Sequence, residues 1–247
     1  MPFKLLLLAL VPVQFAAAQG SGYPARESLF YNIEWRLFNA GKAKVDFTSV
    51  SQPHPENQIR LHLESTGIVS KLFRVEDDYT ALLHSNLCTD STQMTAHEGS
   101  RQRETKVTYD AESHKASYLE RDLAKNNAVV LSQEIEIPQC VHDVVGGLMF
   151  IRTLNLEPGQ STQVPVSDGK KSVMARVEAQ AREDVKTPSG TFKTIRYEIY
   201  LFNGILYKRS AHLNVWISDD RRKLPVQIRV RMTFTIGTIN LTLEKHE

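Results

Sequence analysis

The sequence predicts a mainly β protein: a curved antiparallel sheet or half-open β-barrel, with one short apolar helix (about residues 142–154) packed on it. Three observations carry that reading. Apolar and polar residues alternate with period two over many short stretches, which is the pattern of strands with one dry and one wet face. Turn-forming residues separate those stretches. One segment, Cys140 to Leu154, breaks the alternation with a run that is apolar on nearly every side.

The elements follow in order. Leu29, Tyr31, Ile33, Trp35 and Leu37 share one face of a first strand, with Asn32, Glu34 and Arg36 on the other. Asn39-Ala40-Gly41 reads as a turn, and Ala43, Val45 and Phe47 as the return strand. After a polar loop from Ser51 to Asn57, Ile59, Leu61 and Leu63 alternate with Arg60, His62 and Glu64. Val75, Tyr79, Ala81 and Leu83 indicate a fourth strand, interrupted by Asp77. Shorter, more polar strands cover Gln93–Glu98, Lys106–Tyr109 and Lys115–Glu120, and the Asn126-Asn127 turn leads into Val129–Leu131 and Ile135–Ile137.

Asp143 is placed to cap the helix, its carboxylate accepting from the orphan amides at the positive end of the dipole. Arg152 falls in the last turn, where a cation suits that dipole. Gly146-Gly147 costs about 1 kcal/mol per residue against alanine in a helix interior, so the pair implies that the helix backbone approaches the sheet closely. Beyond the helix, Glu157-Pro158-Gly159 and Ser167-Asp168-Gly169 are turns around a strand at Gln163–Val166. Thr187-Pro188-Ser189-Gly190 is another turn, and Asn203-Gly204 predicts a tight hairpin between Tyr197–Tyr200 and Leu206-Tyr207. Long strands at His212–Ser218, Pro225–Thr235 and Thr238–Glu244 finish the chain.

Residues 1–18 read as a signal peptide. Lys4 is the charged start, Leu5 to Val11 the apolar centre, and Ala16-Ala17-Ala18 the small-residue site before Gln19. The run is too short for a spanning helix of about 20 residues, the competing reading being an N-terminal membrane anchor. Residues 19–247 are then expected to form a single exported β-rich domain, periplasmic or secreted. The site carries no cysteine for lipid attachment, and no later stretch reaches transmembrane length. Removing Lys4 lowers the formal charge from +2 to +1, since 28 acidic residues face 30 basic ones in the full chain. Such a balance argues against nucleic acid as a partner. In an exported chain the two cysteines, Cys88 and Cys140, are expected to form a disulfide. That bond would be worth roughly 4 kcal/mol in the loop-entropy model; two free thiols are the alternative.

The order of several weak motifs resembles a known family. Tyr31-Asn32-Ile33-Glu34-Trp35 with Asn39 to Ala43 carries the resemblance first, and His142 to Leu154 carries it in the middle. Thr187 to Thr194 and Val215 to Val226 complete it. On these segments the chain resembles the exported bacterial proteins of the domain of unknown function 3108 family. The resemblance implies a fold similar to the LolA/LolB type of periplasmic lipoprotein carrier, a half-closed sheet around an apolar helix or lipid chain. It brings no catalytic residue.

Cys140, His142 and Asp143 look like a nucleophilic triad, but neighbours in sequence rarely meet as nucleophile, base and orienter. The eight histidines form no pair with metal-ligand spacing, and no nucleophile elbow or nucleotide-binding loop is present. Asp219-Asp220-Arg221-Arg222-Lys223 reads as a self-neutralising hairpin tip. Trp35, Val145, Leu148, Met149 and Trp216 are the candidate lining of an interior cavity, with plain core packing as the competing reading. The expectation is a protein without catalytic residues, cofactor or metal that binds an apolar or lipid-like ligand. Alternatives are an envelope assembly factor that binds an envelope protein and fills its own barrel, and a hydrolase with a convergent site. A space of about 300 Å³ or more between helix and sheet would favour the binding protein.

Overall fold

Among the described residues of the computed structural model, the period-two alternation resolves into fourteen strands of one antiparallel sheet. The structure describes residues 25–36, 38–49, 57–233 and 237–247. The expected signal peptide lies outside them, as do Leu37, Phe234 and most of the polar loop after Ser49. The first half holds β1 (Arg26–Trp35), β2 (Phe38–Ser49), β3 (Asn57–Ser65), β4 (Val75–Leu83), β5 (Thr89–Glu98), β6 (Arg101–Asp110), β7 (Lys115–Asp122) and β8 (Ala128–Glu136). The second half holds β9 (Ser161–Ser167), β10 (Ser172–Thr187), β11 (Gly190–Ile199), β12 (Ala211–Ser218), β13 (Pro225–Met232) and β14 (Thr238–His246). The helices are α1 (Gly67–Leu72) and α2 (Val144–Ile151), with a 3₁₀ turn at Leu123–Lys125.

Within each half, consecutive strands pair, and β1 also pairs with β14, joining the two halves side by side. The edges left over are β8 and β9, so hydrogen bonding does not close the sheet into a barrel. Pro165, which lacks a ladder donor, sits on edge strand β9, where a proline is tolerated. The chain crosses between the edges through α2. Residues of β1 to β3 and of β9 to β13 line one cavity against this helix, an arrangement that requires the sheet to curl round it. On β1 the inward series Leu29, Tyr31 and Ile33 is buried, and full burial of each such side chain contributes roughly 1.5–3 kcal/mol. A one-residue slip would turn the whole series outward, which fixes the register.

Several sequence expectations need correction. The helix is shorter than residues 142–154. His142 is taken into a parallel bridge with Val166, Asp143 is the cap, and residues 152–154 continue only through bonds to the third residue back. A second helix, α1, was not expected; six residues are too few to show a helical period. Asn39-Ala40-Gly41 is not a turn but part of β2. The pairing shifts between Ile33–Gly41 and Glu34–Asn39, leaving Ala40 as the extra residue of a bulge. Gly41 is required there, because a Cβ would stand 2.2 Å from the Glu64 carbonyl oxygen. Asn203-Gly204 lies in the irregular connection between β11 and β12, with Asn203 and Gly204 both at positive φ, and Leu206-Tyr207 form no strand.

Candidate functional site

α2 divides the hollow of the sheet, and its start is fixed by its own sequence. The Asp143 carboxylate accepts from the amides of Val145 (2.8 Å) and Gly146 (3.0 Å), from the Tyr79 hydroxyl (2.6 Å) and from Thr89 (2.9 Å). The Asp143 amide in turn donates to the Thr89 hydroxyl at 2.8 Å. Cys88 and Cys140 form the disulfide, tying the helix approach to the start of β5. His142 is buried, donates from Nδ1 to the Leu87 carbonyl at 2.8 Å and stacks on Phe150 at 4.3 Å. Burial holds its imidazole below its usual pKa, against the opposing pull of the Leu87 bond and Asp143. The triad arrangement therefore does not form: the thiol is oxidised, the imidazole faces a carbonyl and the carboxylate is saturated.

Gly146 and Gly147 differ. A Cβ on Gly146 would lie 2.5 Å from Asp143 Oδ1 and 3.3 Å from Leu83 of β4, so the close approach holds there. At Gly147 the nearest atoms stand at 3.7 and 3.8 Å, an ordinary contact.

Arg152 does stand at the helix C-terminus, as expected, but the structure gives it a second role. It is buried and pairs with Glu27 of β1 at 2.5 and 2.9 Å. It also donates to the carbonyls of Arg222 (3.0 Å) and Lys223 (2.8 Å) in the β12–β13 turn. That turn is the charged tip expected from Asp219 to Lys223, with Asp220 and Arg222 paired at 2.6 Å.

On one side of α2 lies an apolar cavity of about 260 Å³. Val145, Leu148 and Met149 line it, facing Leu29, Val45 and Leu61 on one wall and Val164, Val177 and Val215 on the other. Among the described residues, Tyr31 and Tyr207 supply its polar side chains. The Tyr31 hydroxyl is spent on the Pro225 carbonyl at 2.7 Å, and burial, opposed by Arg152 and reinforced by Glu27, sets its pKa well above the ordinary value. Trp35 and Trp216 are not part of this lining. Trp35 ends β1 at the rim, 38% exposed. Trp216 lies across from Gln227 beside a bulge and borders a polar groove instead.

A second cavity of about 410 Å³ adjoins the first and shares Leu61, Val144, Val145 and Tyr207 with it. Its walls come largely from β4 to β7 and are charged. Arg101 bonds Glu98 (3.3 Å) and Glu120 (3.2 Å), while Arg103 pairs with Glu120 (3.3 Å) and Asp122 (2.6 Å). Burial opposes ionisation of Glu120, but the bonds from Tyr118 and Arg101 outweigh it and hold the carboxyl below its usual range. Burial and then Glu98 push the Asp77 carboxyl up. Burial, then Asp168 and Asp143, push the Tyr207 phenol up to about 12. Sequence reasoning passed over these residues, although a signal was present. Arg101, Arg103, Thr105, Val107 and Tyr109 alternate along β6, and all border this cavity. Among the described residues no group of three His, Cys, Asp or Glu side chains is placed to hold a metal.

Comparison with known proteins agrees with the expected resemblance. The family model for "Protein of unknown function (DUF3108)" matches residues 31–244, so the chain belongs to that family. Curated proteins give no significant match. A solved β-barrel-like protein of domain of unknown function DUF1849 from Brucella abortus superposes with a TM-score of 0.54 at 6% identity, over 91% of this chain and 98% of the other. It shows the fold alone. A Bacteroides fragilis protein with a YmcC-like fold covers 90% of this chain and 95% of its own at 10% identity, but its TM-score of 0.32 is too low to argue from.

Proposed function

We propose that this member of the DUF3108 family binds a lipid-like ligand in the hollow of its sheet, as a non-enzymatic carrier or binding protein of the bacterial envelope. The observation that carries the reading is the pair of adjoining cavities. The apolar one alone falls just under the roughly 300 Å³ of a small-ligand site. With the charged cavity across Val144 and Val145, the space suits an amphipathic molecule: an acyl chain against Leu148 and Met149, a polar head among Arg101, Arg103 and Glu120. The dry wall supplies burial at about 25 cal/mol per Å², and the charged wall supplies orientation. The signal-peptide reading of residues 1–18 supports export.

The test is extraction of the exported protein followed by mass spectrometry, with titration of a fluorescent fatty acyl probe. Co-purifying lipid and probe binding that Leu148→Trp reduces at least tenfold are the expected results. Absence of both lipid and probe binding would overturn the reading. A second reading, an assembly factor whose interior is filled by its own helix, draws support from α2 occupying the hollow. It gains if the probe fails to bind while crosslinking in intact cells captures an envelope protein.

A further inference from the structure

Trp216 is buried in one core cluster with Phe192, Leu224 and Val226, and it also borders a groove on the outer face of the sheet. An open groove of about 480 Å³ crosses this face from β11 to β1. Four arginines, Arg36, Arg196, Arg229 and Arg231, line it against two carboxylates, Glu34 and Glu198. Glu198 is engaged by His212 at 2.8 Å, and Arg196 is paired outside the groove with Glu183 at 3.3 Å. Arg229 and Arg231 have no carboxylate within ion-pair distance among the described residues. Two residues apart on β13, they project from the same face about 7 Å apart, close enough for both guanidinium groups to meet one tetrahedral oxyanion. The Arg229 guanidinium lies over the buried Trp216 ring at 4.9 Å. Stacking of this kind fixes the cation in place; Nε donates to Asn240 Oδ1 at 3.5 Å, and the terminal nitrogens are the groups offered to the groove.

The groove ends at a distinctive rim. Arg36 follows β1 directly, and its guanidinium sits 5.7 Å from the Trp35 ring. Trp35 lies opposite Phe38 across the β1–β2 connection, and both are open to solvent, 38% and 63% exposed. Aromatic side chains beside arginines are the composition that settles at a membrane–water interface.

We propose that this groove is an anion site for a phosphoryl group presented at a lipid surface, with Arg229 and Arg231 gripping the phosphate and Trp35 and Phe38 resting at the interface. The site does not depend on the interior cavity. Two arms test it with the full exported chain. In the first, cosedimentation compares vesicles of phosphatidylglycerol and phosphatidylcholine with vesicles of phosphatidylcholine alone. In the second, inorganic phosphate is titrated against Trp216 emission in a Trp35→Phe background. The expected results are a preference for anionic vesicles that Arg229→Gln with Arg231→Gln reduces at least tenfold, and loss of vesicle binding but not of the phosphate response in Phe38→Ser. Circular dichroism confirms that the variants keep the fold. Equal sedimentation with both vesicle types, or wild-type sedimentation by the double variant, would overturn the proposal. A phosphate response without vesicle preference would overturn its lipid half and assign the site to a soluble phosphate.

Discussion

The two ends of α2 are anchored by different physics. At the start, Asp143 caps its own helix, while its carboxylate, His142 and the disulfide also hold Tyr79, Thr89, Leu87 and Cys88, through saturated neutral-donor hydrogen bonds and one covalent link. At the finish, Arg152 reaches a carboxylate 125 residues away and two carbonyls of a distant turn. The start borders the charged cavity, while Leu148, Met149 and Ile151, nearer the finish, border the apolar one. A buried ion pair is weak evidence for net stability, since desolvating two charges offsets most of their attraction. Its value here is positional. Leu148 and Met149 face the cavity at one fixed depth because Arg152 is tied at once to Glu27 and to the carbonyls of Arg222 and Lys223.

That contrast is broken most severely at Arg152. Arg152→Met leaves Glu27 buried without a cation and should cost about 3–5 kcal/mol in urea unfolding. The double variant Glu27→Gln with Arg152→Met should regain most of that loss, because two neutral groups replace one stranded charge. If the double variant also bound the acyl probe as the wild type does, the positional role argued for the pair would be wrong.

A smaller effect separates the start of the helix by pH. Burial lowers the His142 pKa, so the folded protein takes up the proton less readily than the unfolded chain, whose imidazole titrates near 6.5. The unfolded state then binds more protons as pH falls below that value, and stability declines toward the folded-state pKa. The contribution is complete above about pH 6.5 and is lost below it, with a slope of at most about 1.4 kcal/mol per pH unit. Unfolding curves of the wild type and His142→Asn at several pH values should differ by this slope. Parallel pH profiles would show that His142 does not titrate differently on folding.

The same contrast explains what could be read in the sequence. The start of the helix was legible because the Asp143 cap is local, an aspartate directly before an apolar run, and because the sequence holds two cysteines to pair; its bonds to Tyr79, Leu87 and Thr89 were not legible. The strands were legible wherever one face was dry, as at Leu29, Tyr31 and Ile33. The place of Arg152 at the helix end was legible but its partner was not, because nothing near it in sequence announces Glu27; an acidic residue in phase with a buried series was the hint. Asn39-Ala40-Gly41 misled because the residues that favour turns also favour bulges. Trp35 and Trp216 were named as cavity lining on size and hydrophobicity, with core packing as the competing reading. Trp35 lies at the rim, where the strand ends, and Trp216 is a core residue beside a bulge that shifts the strand pairing. The charged cavity was missed because an alternation that includes arginine reads as solvated when the sequence is taken one strand at a time.

The finest distinction lies inside the helix. Both glycines read alike in sequence, and alanine at either would add about 1 kcal/mol of helix propensity. At Gly146 the added methyl would meet Asp143 Oδ1 at 2.5 Å, so the cap must shift. Losing part of a cap costs typically about 1 kcal/mol, and overpacking against Leu83 adds to it. Gly146→Ala should therefore be destabilising on balance. At Gly147 the methyl meets only Val166 and His142 at contact distance, and the propensity gain should survive as roughly 1 kcal/mol of added stability. Gly147 also borders the apolar cavity. Gly147→Ala should therefore bind the acyl probe more weakly while unfolding at higher urea, and opposite signs of that kind belong to a residue kept for the space it leaves. If both alanine variants were stabilised alike, neither glycine would be holding room for the cap or for a ligand.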